Sequence, residues 1–291
     1  MSSFRERNDR KPGKKQSFHR SGDARTEKGR APAQKERSGG ESSSRSPRSK
    51  PDADNFIWGR HPVLAALANP ARRGMGRLMV SEDRALEIEQ QNLNHGHRIE
   101  VVDSQQLTRI LPPGAVHQGM VFKVQPLEGI TLEELAEDAN GVIVLLDQLT
   151  DTQNIGAIFR SALAFGARGI VVQDRHTPAL AGALAKAAVG ATERLACARV
   201  TNLSRALEKL ADLGWRAVGM DGEAELTLEQ ALDNRPTVIV MGSEGDGVRR
   251  LVAEHCEVMA KIPMPGGFES LNVSNAAAIA LYEAARAQAR G

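Results

Sequence analysis

Three stretches gather the residue types that can do chemistry. DQLTDTQNIGAIFRSALAFG carries Asp147, Asp151 and Asn154 ahead of Arg160. VIVMGSEGDGVRR runs into a turn with glycines at 242, 245 and 247 around Glu244 and Asp246. IPMPGGFESLNVSN sets two prolines and two glycines before Ser270, Asn272, Ser274 and Asn275. One Ser or Asn suffices to cap a helix. Four of them suit a site that orients a ligand through hydroxyls, amides and exposed backbone. Arg160 reads in two ways: as the ion-pair partner of a carboxylate such as Asp147, or as a planar fork gripping a phosphate. Asn154 reads as a helix N-cap. Gly156 lets the start of that helix approach a neighbour closely, and three glycines in the second turn argue for close backbone approach there.

Other chemistries lack their signatures. The second stretch reads G-x-x-G-x-G, which fails the dinucleotide template, and there is no G-K-[ST] phosphate loop. Cys197 and Cys256 stand outside any metal spacing, so no metal is expected, and free thiols fit a cytoplasmic protein. No apolar run reaches membrane-spanning length. Tyr and Trp are too sparse for an aromatic base-stacking platform.

The elements that must position these residues follow from the apolar pattern. GVIVLLDQL, GIVVQD, WRAVGMD, TVIVMG and VMAKIPM read as five strands separated by helical segments, a parallel, doubly wound α/β sheet over 141–291. Each chemical stretch falls at the C-terminal end of a strand or the helix start after it, where open α/β sheets bind ligands. PALAGALAKAAVGA is an alanine-rich helix that must pack closely on something. Residues 53–126, from FIWGRHPV to HQGMVFKVQ, alternate strand and helix as a small separate α/β domain, with 127–140 as linker and leading helix. Residues 1–52 read as a disordered basic tail. The first fifty hold fifteen Lys and Arg against six Asp and Glu and almost no apolar side chains, which leaves the rest of the chain net acidic. Such a tail either solubilises or attracts phosphate backbones.

In this order, the stretches resemble the three motifs of the SpoU (TrmH-like) branch of the SPOUT RNA methyltransferases. NIGAIFRSALAFG resembles the first motif, VIVMGSEGDGV the second and IPMPGGFESLNVSNAAAIALYEA the third. FIWGRHPV through GAVHQGMVFKV resembles the substrate-binding domain fused to such enzymes, and G-x-x-x-V-x-x-A-L with A-V-H-Q-G points to the RlmB-type subgroup. The resemblance implies 2′-O-methylation of a guanosine ribose in 23S rRNA with S-adenosylmethionine as donor. A guanosine of tRNA is the alternative substrate, and a non-catalytic RNA-binding assembly factor the alternative function. It also implies a homodimer and a C-terminal deep trefoil knot, which topology rules alone would not suggest. Carried over residue by residue, Gly242, Ile262 and Leu271 should hold the adenosine through backbone, with Met241, Gly245, Met264 and Ser270 completing that pocket. Asn154, Arg160, Glu244 and Asn272 should face the methyl and the acceptor ribose. A guanidinium with a pKa above about 12 stays protonated. Arg160 is therefore expected to bind the adjacent phosphate and stabilise the developing alkoxide, with a phosphate oxygen, Glu244 or water taking the proton. Arg60, Arg72, Arg73 and Arg77 are candidate RNA contacts. His117 is either near the guanine or a hydrogen-bonded turn residue.

Overall fold

The computed structural model describes residues 53–267 and 270–290 of the chain. The basic tail expected at 1–52 lies outside them. The smaller lobe contains β1 (Phe56–Trp58), α1 (Arg60–Ala68), β2 (Arg77–Val80), α2 (Glu82–Gln90), β3 (Ile99–Val101), α3 (Ser104–Arg109) and β4 (Met120–Lys123). Its sheet runs β1-β4-β2-β3, with β4 antiparallel to both neighbours and β2 parallel to β3. Alternation along the strands divides the core. Ile57, Leu78, Val80 and Phe122 pack toward α1 and α2, while Trp58, Met79 and Val121 pack with Leu107 of α3.

The larger lobe comprises α4 (Leu132–Ala136), β5 (Val142–Leu146), α5 (Thr152–Ala164), β6 (Gly169–Gln173), α6 (Gly182–Ala188), β7 (Ala196–Val200), α7 (Leu203–Asp212), β8 (Arg216–Met220), β9 (Leu226–Thr227), α8 (Leu228–Ala231), β10 (Thr237–Met241), α9 (Arg250–Ala253), β11 (Val258–Lys261) and α10 (Val273–Ala289). All seven strands are parallel, in the order β7-β6-β5-β10-β8-β11-β9. β5 and β10 are buried along their whole length, as strands covered on both faces must be. Val142, Val144 and Leu146 meet α5 and α10 on one side; Ile143 and Leu145 meet α7 on the other.

Two edge strands exceed the five expected from sequence. β7 is built from Ala, Cys and Arg rather than a branched apolar run, and β9 has only two residues. The alanine-rich α6 packs on α5. A Cβ at Gly156 would overlap Ala187 and Ala188, so this glycine sets how closely the two helices cross. No described helix is long and apolar enough to cross a membrane.

Candidate functional site

The three chemical stretches meet at the C-terminal edge of the larger sheet. Asn272 Nδ2 donates to Asn154 Oδ1 at 2.9 Å and to Glu244 Oε1 at 2.8 Å, and Asn154 Nδ2 donates to the same Glu244 oxygen at 3.0 Å. One residue from each stretch thus closes a triangle. Asn272 also caps α10: its Oδ1 accepts from Ser274 N at 3.0 Å, Asn275 N at 3.4 Å and Ser274 Oγ at 2.6 Å. Its two amide ends therefore do separate jobs, and Ser274 steadies the capping end. The helix α5 is capped by Asp151, which accepts from Gln153 N at 3.0 Å, and not by Asn154 as expected. Asn154 lies inside the first turn, and its side chain is free to join the triangle.

The loop after β10 holds Glu244 at its tip. Ser243 and Gly247 exchange two backbone hydrogen bonds of 3.1 Å, and a Cβ at Gly242 would overlap the backbone of Gly247 and Val248. The close approach expected from the glycines is the loop folding on itself. Asp147, 0% exposed, fastens the exit of this loop by accepting from Arg249 N at 2.9 Å and Arg249 Nε at 2.7 Å. Asp147 therefore pairs with Arg249 and not with Arg160. Such a buried carboxylate persists only when fully paired.

The residues expected to line a donor pocket come from the same loops. Met241 ends β10 and is buried with Gly242, while Ile262 and Met264 follow β11 half-buried. Gly245, Ser270 and Leu271 are exposed, Leu271 to 39%. Space in front of Gly245, Gly247, Gly266 and Gly267 is open. The arrangement offers bare backbone, apolar side chains and one carboxylate. No described group of three or more His, Cys, Asp or Glu could hold a metal.

Arg160 is not part of the triangle. It sits six residues beyond Asn154 on α5, about 9 Å along the axis and about 240° around it. It is exposed, and among the described residues it has no hydrogen-bond or ion-pair partner. It opens instead onto a cleft between the lobes, with His61 and Arg194 on the other walls.

The candidate RNA contacts divide. Arg72 is closed off, which corrects its reading as a phosphate ligand. Its guanidinium forks onto Glu193 at 2.7 and 2.8 Å and donates to Gln125 O, the two side chains being 3% and 1% exposed. Asn69 donates to Glu193 as well, so this pair bolts the small lobe onto the large one. Arg60 shares Glu87 with Arg84, and Arg77 pairs with Glu100. Arg73 is exposed with no ion-pair partner among the described residues. His117 is a turn residue. Its Nδ1 accepts from Gly119 N at 3.1 Å and its Nε2 lies 3.2 Å from Thr108 Oγ1, which donates its own proton to Ser104 O. The ring is thus neutral with Nε2 protonated, and burial, helped by the charge of Lys186, holds its pKa below the usual histidine value. The neighbouring Gln118 Oε1 accepts from Arg60 N and from Lys186 Nζ, both at 3.1 Å, a second link between the lobes.

Comparison with known proteins finds two families along the chain. Residues 141–282 match the SpoU rRNA methylase family, and residues 56–129 match the RNA 2′-O ribose methyltransferase substrate-binding family. The chain is 41% identical to the 23S rRNA (guanosine-2′-O-)-methyltransferase RlmB of Pseudomonas aeruginosa, over 79% of this chain and 95% of that one. It is 36% identical to an uncharacterized tRNA/rRNA methyltransferase of Mycobacterium sp. (strain KMS), over 83% and 79%. Among solved structures it resembles the SpoU methyltransferase AviRb of Streptomyces viridochromogenes in complex with AdoMet, with a TM-score of 0.66, 25% identity, and coverage of 81% and 91%.

Proposed function

The chain belongs to the SpoU rRNA methylase family, and from that premise we propose that it methylates the ribose 2′-hydroxyl of a guanosine in 23S rRNA, with S-adenosylmethionine as donor. The observation that carries the reading is the Asn154–Glu244–Asn272 triangle, which joins the three motifs at one point. The donor fits the neighbouring loops. Open space faces the backbone of Gly245 and Gly267, and Ile262, Met264 and Leu271 offer apolar contact to an adenosine. Met241, Gly242 and Ser270 complete that pocket. Bound there, S-adenosylmethionine supplies a methyl group already activated by a sulfonium charge.

The chain's own residues then have three tasks. Glu244 Oε1 is held by two neutral amides, so its charge is not cancelled by a cation and can attract the sulfonium. Asn154 and Asn272 fix that carboxylate and align the acceptor oxygen, and alignment can meet much of the barrier of a methyl transfer. Arg160 grips the phosphate beside the acceptor and stabilises the developing alkoxide; the proton leaves to Glu244, a phosphate oxygen or water.

Because Arg160 points away from the triangle of its own chain, this reading needs a second copy. Arg160 of one protomer meets the triangle of the other in a homodimer. An apolar face fit for that contact lies beside it: Phe165 and Tyr282 stack edge to face at 5.8 Å, with Ile279 exposed next to them on α10. The proposed C-terminal knot would thread the segment before α10 so that Asn272 reaches Asn154 and Glu244; the buried Ala277 and Ala280 allow the close packing this requires. The test is to map 2′-O-methyl sites on rRNA and tRNA from cells with and without the protein. Loss of one 23S guanosine mark supports the reading, loss of a tRNA mark redirects it, and unchanged RNA overturns it.

A further inference from the structure

The cleft between the lobes has a composition that the methyl-donor pocket does not account for. Its volume is about 540 Å³, and α1 of the small lobe forms one wall through His61 and Leu64. Arg160 and Leu163 of α5 form another, and the turn Val189–Gly190 with Arg194 closes it. Three features set it apart. First, Arg160 and Arg194 are exposed and have no carboxylate partner among the described residues, whereas Arg60, Arg72 and Arg84 nearby are all paired. Second, the floor between these cations is apolar. Third, Val189 is a β-branched residue at φ 54°, a conformation costly for its type, and it is 41% exposed at the cleft wall. A strained apolar side chain held open to solvent between unpaired guanidiniums is a feature of binding surfaces rather than of packing.

We propose that this cleft receives a single-stranded segment of the RNA next to the methylated nucleotide, with Arg194 on its phosphates and the apolar Leu64 and Val189 against a base. The proposal rests on the methyltransferase reading for the role of Arg160 and adds to it the residues that hold the substrate. Charge complementarity selects nucleic acid over a neutral ligand, and the apolar lining selects an unpaired strand whose base faces are free. The lobe orientation needed for such a cleft is held by the buried Arg72–Glu193 fork.

The experiment uses the full chain and measures binding of a fluorescent single-stranded RNA, and of the corresponding duplex, as a function of salt. Arg194→Ala and Arg194→Glu are the variants; with no partner to lose, both should fold, and their thermal midpoints report it. The expected result is a graded loss, about fivefold for alanine and more for glutamate, with the salt slope reduced by about 0.7 per lost contact to a single strand. The loss should be larger for the single strand than for the duplex. Wild-type affinity and slope in both variants would overturn the proposal, as would equal losses on both RNAs. Calorimetric titration of S-adenosylmethionine into the same samples separates the two readings. A wild-type chain that ignores the donor but loses RNA on Arg194→Ala would overturn the methyltransferase reading and sustain the cleft.

Discussion

The lobe junction and the loop corner ahead of α10 treat their carboxylates in opposite ways. The Glu193 side chain is 1% exposed, gripped by both arms of Arg72 and by Asn69. Glu244 is exposed and held by two neutral amides, while the nearest functional arginine of the resemblance, Arg160, faces elsewhere. The difference teaches what each charge is for. A buried, fully paired charge holds the structure together, and removing its partner leaves an uncompensated ion. An exposed charge positioned by neutral donors remains available to a ligand of opposite sign. Arginines follow the same division: Arg72 is buried and paired, while Arg160 is exposed with no partner among the described residues.

Substitutions can break or sharpen this contrast. The largest effect is expected at Arg160. Arg160→Ala should lower kcat/KM about a thousandfold, roughly 4 kcal/mol of barrier, with an unchanged thermal midpoint and unchanged donor affinity in calorimetry. A fall in the midpoint would make Arg160 structural and erase the contrast. Arg72→Ala should do the reverse, costing about 3 kcal/mol of stability in denaturant melts because Glu193 stays buried and unpaired. Truncating Glu193 as well should recover part of that loss.

At the other carboxylate, Glu244→Gln keeps an acceptor for Asn154 and Asn272 but removes the charge. S-adenosylmethionine affinity should drop about tenfold, or about 1.4 kcal/mol, with no loss of stability. Equal affinity would show that the sulfonium does not feel this group.

The smallest effect is a pH dependence. His117 titrates below its unfolded value of about 6.5, so the unfolded chain binds more protons as pH falls through that value. Stability should be full above it and decline as the pH drops toward the folded value. Buried His97 is shifted the same way and contributes in the same direction. His117→Gln should flatten the slope of stability between these limits without touching donor binding.

Much of this arrangement is legible in the sequence. Long apolar runs marked the central strands because both faces of β5 and β10 are buried, and the clustering of Ser, Asn and Gly marked the loops that converge. What was not legible depended on partners far away in the chain. Arg72 sits beside Pro70 in a polar turn and looks solvent-facing, yet its partner is 121 positions on. Asn154 and Asp151 are both good caps, and only the position of Glu244 and Asn272 shows why the asparagine is spared. β7 escaped because an edge strand of Ala, Cys and Arg carries no run of branched side chains. The facing of Arg160 away from the triangle follows from helix geometry once the true start of α5 is known.

The central claim is that the loops after Leu149, Met241 and Met264 form one site where a methyl group reaches an RNA sugar. The direct measurement incubates the purified full chain with methyl-labelled S-adenosylmethionine and 23S rRNA, then resolves the nucleosides by mass spectrometry. Label is expected in 2′-O-methylguanosine with the wild-type chain and should be lost with Asn272→Ala. Label on a base, or equal ribose labelling by the Asn272→Ala chain, would contradict it.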